Sequence, residues 1–207
     1  MIKIAKIVAL ATLAAGSAQA QLKITEVQSS EMAGLHQDWW ELTNFGGETV
    51  SLKDYKFDDS SASLASAVVL SANLAIKPGE SIVFVETLTP QEFRTWWGTG
   101  LSTEAQIVTY SGSGLGLSSG GDAVNVWNAQ GVLVDSVKFG AATAGVSFGY
   151  NTATKTFGGL SVVGVGGTFV SAQVGDIGSP AAVPEPTSLW LVGGGLALLA
   201  LGSRRRN

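Results

Sequence analysis

No cysteine occurs in the 207 residues, and His36 is the single histidine. The first absence removes disulfides and thiolate metal centres. The second makes any nucleophile–histidine–acid arrangement depend on one side chain. That histidine sits in a loop-like stretch, residues 31–37, with no serine motif beside it, so a solvated loop histidine is the simpler reading. No G-x-S-x-G, Walker loop or H-E-x-x-H occurs either. The pattern therefore points to no catalytic residues and no cofactor. Charge is also scarce, at 14% of residues. Between residues 21 and 182 seven bases face about twice as many acids, because Lys3, Lys6 and Arg204–Arg206 all fall outside that span. Such acidity disfavours nucleic acid, whose phosphates ask for basic patches. It suits cationic partners or divalent ions.

The two ends carry the longest apolar runs. Lys3 and Lys6 precede Ile7–Ala15 and then Ala18-Gln19-Ala20. A charged start, a short apolar stretch and an A-x-A site describe a secretory signal peptide, cut by signal peptidase at Ala18 and Ala20 to leave Gln21 first. At the other end Pro184-Glu185-Pro186 leads into the apolar run Ser188–Gly202, which stops at Arg204, Arg205 and Arg206. The prolines keep the first part extended and legible to a processing enzyme. The run is apolar enough to enter a bilayer as helix, and the arginines hold its end in the cytoplasm. Fifteen residues make roughly 22 Å of helix, short of the approximately 30 Å hydrocarbon core unless flanking residues snorkel.

Between the ends the period is two. Leu22–Val27, Val50–Leu52, Ser81–Val85, Gln106–Tyr110, Ala123–Trp127 and Val132–Phe139 alternate or run apolar, separated by Gly, Asn and Pro clusters. Many short strands at this spacing predict an antiparallel β-sandwich, with the best hairpin turn at Asn128–Gly131. One stretch breaks the period. Thr89-Pro90-Gln91-Glu92 is a capping box with proline at the first helical position, and Phe93, Trp96 and Trp97 then share one face. It predicts a helix of about two turns, ended by Gly98 and laid over the sandwich. The glycine-rich stretch Gly158–Gly167 reads as loop, or as a flexible stalk toward the membrane.

Two resemblances follow from these residues. The tail 184–206, with its Pro-Glu-Pro motif, apolar helix and basic cluster in order, resembles the PEP-CTERM sorting signal of Gram-negative bacteria. That resemblance implies recognition by a membrane-embedded exosortase. The series Ile24–Val27, Asp38–Asn44, Val50–Leu52, Tyr55–Asp59, Ile76–Glu80, Gly121–Val124, Gly131–Val137 and Ser147–Tyr150 is similar to the lamin-tail domain. This second likeness implies an immunoglobulin-like sandwich over roughly 21–180 that supplies interaction or structure in place of catalysis. The expected organisation is a signal peptide at 1–20, the sandwich at 21–180 and the sorting signal at 181–207.

Two clusters remain as candidate sites. Asp54, Asp58 and Asp59 gather near a strand end, where oxygen ligands suit Ca²⁺, but without calcium-loop spacing. Turn-forming charges are the simpler reading, so no metal site is assigned. Trp39 and Trp40 are adjacent on a strand and must point to opposite faces. One joins the core; the other meets the Phe93/Trp96/Trp97 face or offers an indole to polysaccharide. The sequence thus describes an exported, non-catalytic envelope or matrix protein contacting exopolysaccharide or matrix protein. The competing readings are a secreted metal-dependent hydrolase and a permanently membrane-anchored surface-binding protein.

Overall fold

The computed structural model describes residues 22–32, 37–70, 73–112 and 114–182. Strands β1 (Leu22–Gln28), β2 (Trp39–Asn44), β3 (Val50–Ser51), β4 (Lys56–Asp58), β5 (Val68–Val69), β6 (Ala75–Ile76) and β7 (Ser81–Glu86) precede helix α1 (Pro90–Trp97). After it come β8 (Gln106–Tyr110), β9 (Asp122–Trp127), β10 (Leu133–Phe139), β11 (Phe148–Asn151), β12 (Thr156–Leu160), β13 (Phe169–Val170) and β14 (Ile177–Gly178). They form a six-stranded sheet in the order β12-β11-β1-β2-β7-β8 and a four-stranded sheet in the order β10-β9-β4-β5. Two small ladders, β3–β6 and β13–β14, complete the described residues.

Alternation decides what the two large sheets bury between them. From the larger sheet Ile24, Val27, Trp40, Leu42, Ile82 and Phe84 point inward. From the smaller one Phe57, Val124, Val126, Val137 and Phe139 meet them. Trp40 is the centre, stacked on Phe84 at 4.3 Å between ring centroids and 4.8 Å from Phe57. Asp135 on β10 closes the sandwich at one edge by accepting the Ile24 amide at 2.8 Å and pairing with Lys23 at 2.9 Å. The hairpin turn lies where the sequence puts it, with the Gly131 amide donating to the Asn128 carbonyl at 2.9 Å.

The outer face of the larger sheet is buried as well, so every residue of β2 is inaccessible. Trp39, Val83 and Val85 there pack under Phe93, Trp96 and Trp97 of α1. Trp39 meets Phe93 and Trp97 edge-on, at 5.8 and 5.5 Å. The helix forms as its sequence specifies: Thr89 accepts from the Glu92 amide, and Glu92 returns a bond to the Thr89 amide. The expected antiparallel arrangement needs one correction, since β7 and β8 pair in parallel. The cause is α1 itself, a crossover helix that carries the chain back to the end of the sheet where β7 began.

A second correction concerns the glycine-rich stretch. It is no stalk: β12 forms the edge strand beside β11, and β13–β14 fold back across the molecule. The amides of Gln173 and Ala172 donate to the Trp96 and Trp97 carbonyls at 3.0 and 3.4 Å, taking up acceptors that a helix end leaves open. Trp96 Nε1 donates to Asp176 at 2.7 Å, and Asp176 also accepts the Met32 amide.

These contacts set a ranking of stability effects. Trp40→Ala removes the side chain at the centre of the inter-sheet core and is expected to cost about 3–5 kcal/mol. Thr89→Ala, which removes only a helix cap, is expected to cost about 1 kcal/mol. Urea unfolding followed by tryptophan fluorescence and circular dichroism checks the order.

Candidate functional site

A polar patch shares the outer face of the larger sheet with the tryptophans. The β1–β2 register shifts between Ile24 and Glu26. This bulge places two consecutive side chains, Thr25 and Glu26, on the outer face, and Val27 returns to the core. Glu26 lies directly opposite Glu41, and both are 1% exposed. Two facing carboxylates away from water repel each other and are stable only if protonated or well supplied with donors.

Donors come from far along the chain. Glu26 Oε1 accepts from Ser147 Oγ at 2.5 Å and from the Ser179 amide at 2.7 Å. Its Oε2 accepts from Ser179 Oγ at 2.8 Å. Glu41 Oε2 accepts the Ala181 amide at 2.5 Å, and its Oε1 lies 2.5 Å from Thr25 Oγ1. Thr25, Thr43 and Ser81 continue a hydroxyl row at 2.7 and 2.6 Å, whose protons can all point either way. That reversibility suits a carboxyl that holds a proton, because a neutral Glu41 can donate to Thr25. Burial pushes the Glu41 carboxyl up to about 8, with the Glu26 charge adding to the effect. Burial also raises Glu26, against the lowering effect of its serine donors. Burial thus raises both carboxyls, with more donors gathered on Glu26 than on Glu41.

Segment 178–182 closes over this pair like a strap. A Cβ at Gly178 would sit 2.8 Å from the Trp97 ring and 3.0 Å from Glu26 Oε1, so only glycine lets the strap lie this close. The arrangement can hold a proton and a chain segment. It does not present the carboxylates to a substrate. No local signal marked it in the sequence, because Thr25, Glu26, Glu41 and Thr43 read as an ordinary solvent-facing edge.

The sequence-derived candidates fall elsewhere. Trp39 and Trp40 are both fully buried, which rules out an indole platform for sugar at these positions. Asp58 accepts the Ser63 amide at 2.7 Å and the Ser61 hydroxyl, and Asp59 accepts the Ser61 amide at 2.8 Å. They bind the turn after β4. Asp54 occupies a tight turn with φ 62°. Among the described residues no group of three or more acidic or histidine side chains converges as a metal site. No helix among them is long and apolar enough to cross a membrane. His36, Ala18, Ala20, Pro184, Glu185, Pro186 and Arg204–Arg206 lie outside the described residues, as do the expected signal peptide and C-terminal helix.

Comparison with known families fits this architecture. Residues 15–141 match the family model for the Lamin Tail Domain, over half the chain. The chain belongs to the Lamin Tail Domain family. Residues 182–206 match the PEP-CTERM protein-sorting motif, which implies an exported, exosortase-processed surface protein. No curated protein matches the sequence. The lamin-tail match ends near the close of β10, whereas the folded body continues through β11–β14 to Ala182. The Glu26–Glu41 patch is thus built on lamin-tail strands but covered by chain beyond the match.

A pH dependence follows. Burial raises Asp38 as well, to about 7, with Glu86 nearby adding to the effect. Each of these acids holds its proton more tightly folded than unfolded, so the folded chain carries more protons between about pH 4 and pH 8. Stability is therefore greatest in acid, falls as pH rises through that window by on the order of a few kcal/mol, and levels off above it. Thermal melts from pH 4.5 to 9 check the slope. Glu41→Gln, which mimics the protonated acid, should flatten it and raise the melting temperature at pH 8.

Proposed function

We propose that this chain is a non-catalytic interaction module of the cell envelope or exopolysaccharide matrix, delivered there by its tail. The observation carrying this reading is the position of the sorting motif, which begins at residue 182 as the folded body ends. Export then proceeds by removal of residues 1–20 by signal peptidase at Ala18 and Ala20. Pro184, Glu185 and Pro186 form the element read by exosortase, the run 188–202 inserts, and Arg204–Arg206 stay in the cytoplasm. The sandwich from Gln21 to about residue 180, with its strap, is the delivered product.

An interaction role is supported by how the polar groups are used. Glu26, Glu41, Asp58, Asp59, Asp135 and Asp176 are all committed to internal hydrogen bonds. Contact with matrix polymer or protein must then come from the exposed surface, with Trp39 and Trp40 serving only to hold the scaffold. The competing hydrolase reading needs a carboxylate constellation, and of its candidates Asp54, Asp58 and Asp59 two are spent on a turn.

Intact mass of the protein recovered from the native host tests the reading. The expected species begins at Gln21 and ends near Pro184–Pro186. A membrane-bound species that retains Arg204–Asn207 would identify a permanent anchor and remove the support for a matrix role.

A further inference from the structure

The loop after β12 carries the densest run of exposed large apolar side chains among the described residues. Val162, Val163 and Val165 are 60%, 51% and 63% exposed, and Leu160 beside them is 47% exposed. The loop is nonetheless closed on itself. The Gly164 amide donates to Thr168, the Val165 amide to Val162 and the Thr168 amide to Val165, all at 2.9–3.0 Å. Gly164, Gly166 and Gly167 supply the left-handed turns at φ 82°, 60° and 84°. A fixed loop that presents three valines to solvent is costly in water and marks a contact surface. No charged residue occurs between Lys155 and Asp176, so nothing in this stretch opposes an apolar partner.

Its position identifies the partner. Gly167 packs against the last described residue, with Ala182 Cβ only 2.7 Å from where a Cβ on Gly167 would stand. The chain therefore leaves the domain alongside this loop. Only five residues, Val183–Thr187, separate that exit from the apolar run at Ser188, and two of them are proline. Fully extended, they reach about 20 Å. While the tail is in the bilayer, the valine loop is held within that distance of the lipid surface, at an effective concentration on the order of millimolar.

We infer that the Val162–Val165 loop is a membrane-contact surface, which seats the folded domain on the outer leaflet of the bilayer holding its own tail. This rests on the tethered intermediate of the proposed function. Contact through a few valines is weak and reversible by itself, so it depends on the tether. Cutting at the Pro-Glu-Pro motif removes the tether, and the surface then lets go. Seating would also keep the cleavage segment at the membrane face, where a membrane-embedded protease works.

The absence of native cysteine permits a clean test. Full-length chain carrying Val163→Cys, labelled with an environment-sensitive fluorophore, is reconstituted into vesicles of phosphatidylethanolamine and phosphatidylglycerol. Gln130→Cys is the control, because its hairpin lies at the Leu22 end of β1 and the valine loop at the Val27 end. The expected result is blue-shifted emission at 163, roughly threefold weaker quenching by iodide than at 130, and quenching by nitroxide-labelled lipid. Adding Val162→Ser and Val165→Ser, both at exposed positions, should return iodide quenching at 163 to the control level. Equal quenching at the two sites in floated vesicles overturns the inference. Iodide protection without nitroxide quenching also overturns it, by assigning the loop to contact with a second copy. A chain that fails to float with the vesicles defeats the tethering reading itself and the inference with it.

Discussion

The carboxylate of Glu26 gathers donors from two places beyond the matched lamin-tail region, Ser147 before β11 and Ser179 after β14. A charge this deeply buried persists only with such donors, because desolvation without them costs several kcal/mol. Everything on the outer face of the larger sheet follows from that requirement. The strap must cross β1 and β2, Gly178 must lack a side chain, and Glu41 opposite must find a donor of its own in the Ala181 amide. The neighbouring half of the same face has the complementary demand. There Trp39, Val83 and Val85 need an apolar cover, which α1 supplies. One sheet face thus needs both a helix and a hydrogen-bonding strap, and the Ala172 and Gln173 amides ahead of the strap bond the helix carbonyls and join the two covers into one layer.

The apolar surfaces of this architecture were legible in the sequence. Trp39 and Trp40 had to diverge because neighbours on a strand point opposite ways, and the Phe93, Trp96 and Trp97 face offered a partner for whichever of them lay outside the core. The helix start could be read from four residues, Thr89 to Glu92. The polar patch was not legible, for a physical reason. Alternation identifies the face that is apolar, and it assigns the polar face to solvent by default. Thr25, Glu26, Glu41 and Thr43 are polar yet buried, because chain more than a hundred residues away covers them. That covering chain is rich in glycine, whose lack of a side chain leaves no periodicity to read. The parallel pairing of β7 and β8 lay between these extremes: the helix that causes it was visible, and the crossover is its geometric consequence.

The junction between folded body and sorting motif leaves almost no spacer. Ala181 donates to Glu41, Ala182 bonds back to Ser179, and the motif match begins at residue 182. The motif match therefore begins on the strap itself. Any process acting on the Pro-Glu-Pro segment works within a few residues of a strap fixed to the central sheet.

The separation in sequence between Glu26 and Ser179 also sets a timetable. In a chain exported N-terminus first, β1 emerges at the start of translocation, yet its partner follows 153 residues later. Until Ser179 and Ala181 are in place, the two carboxylates lack the donors and the cover that the finished fold gives them. The first strand of the fold is thus closed over by its last residues.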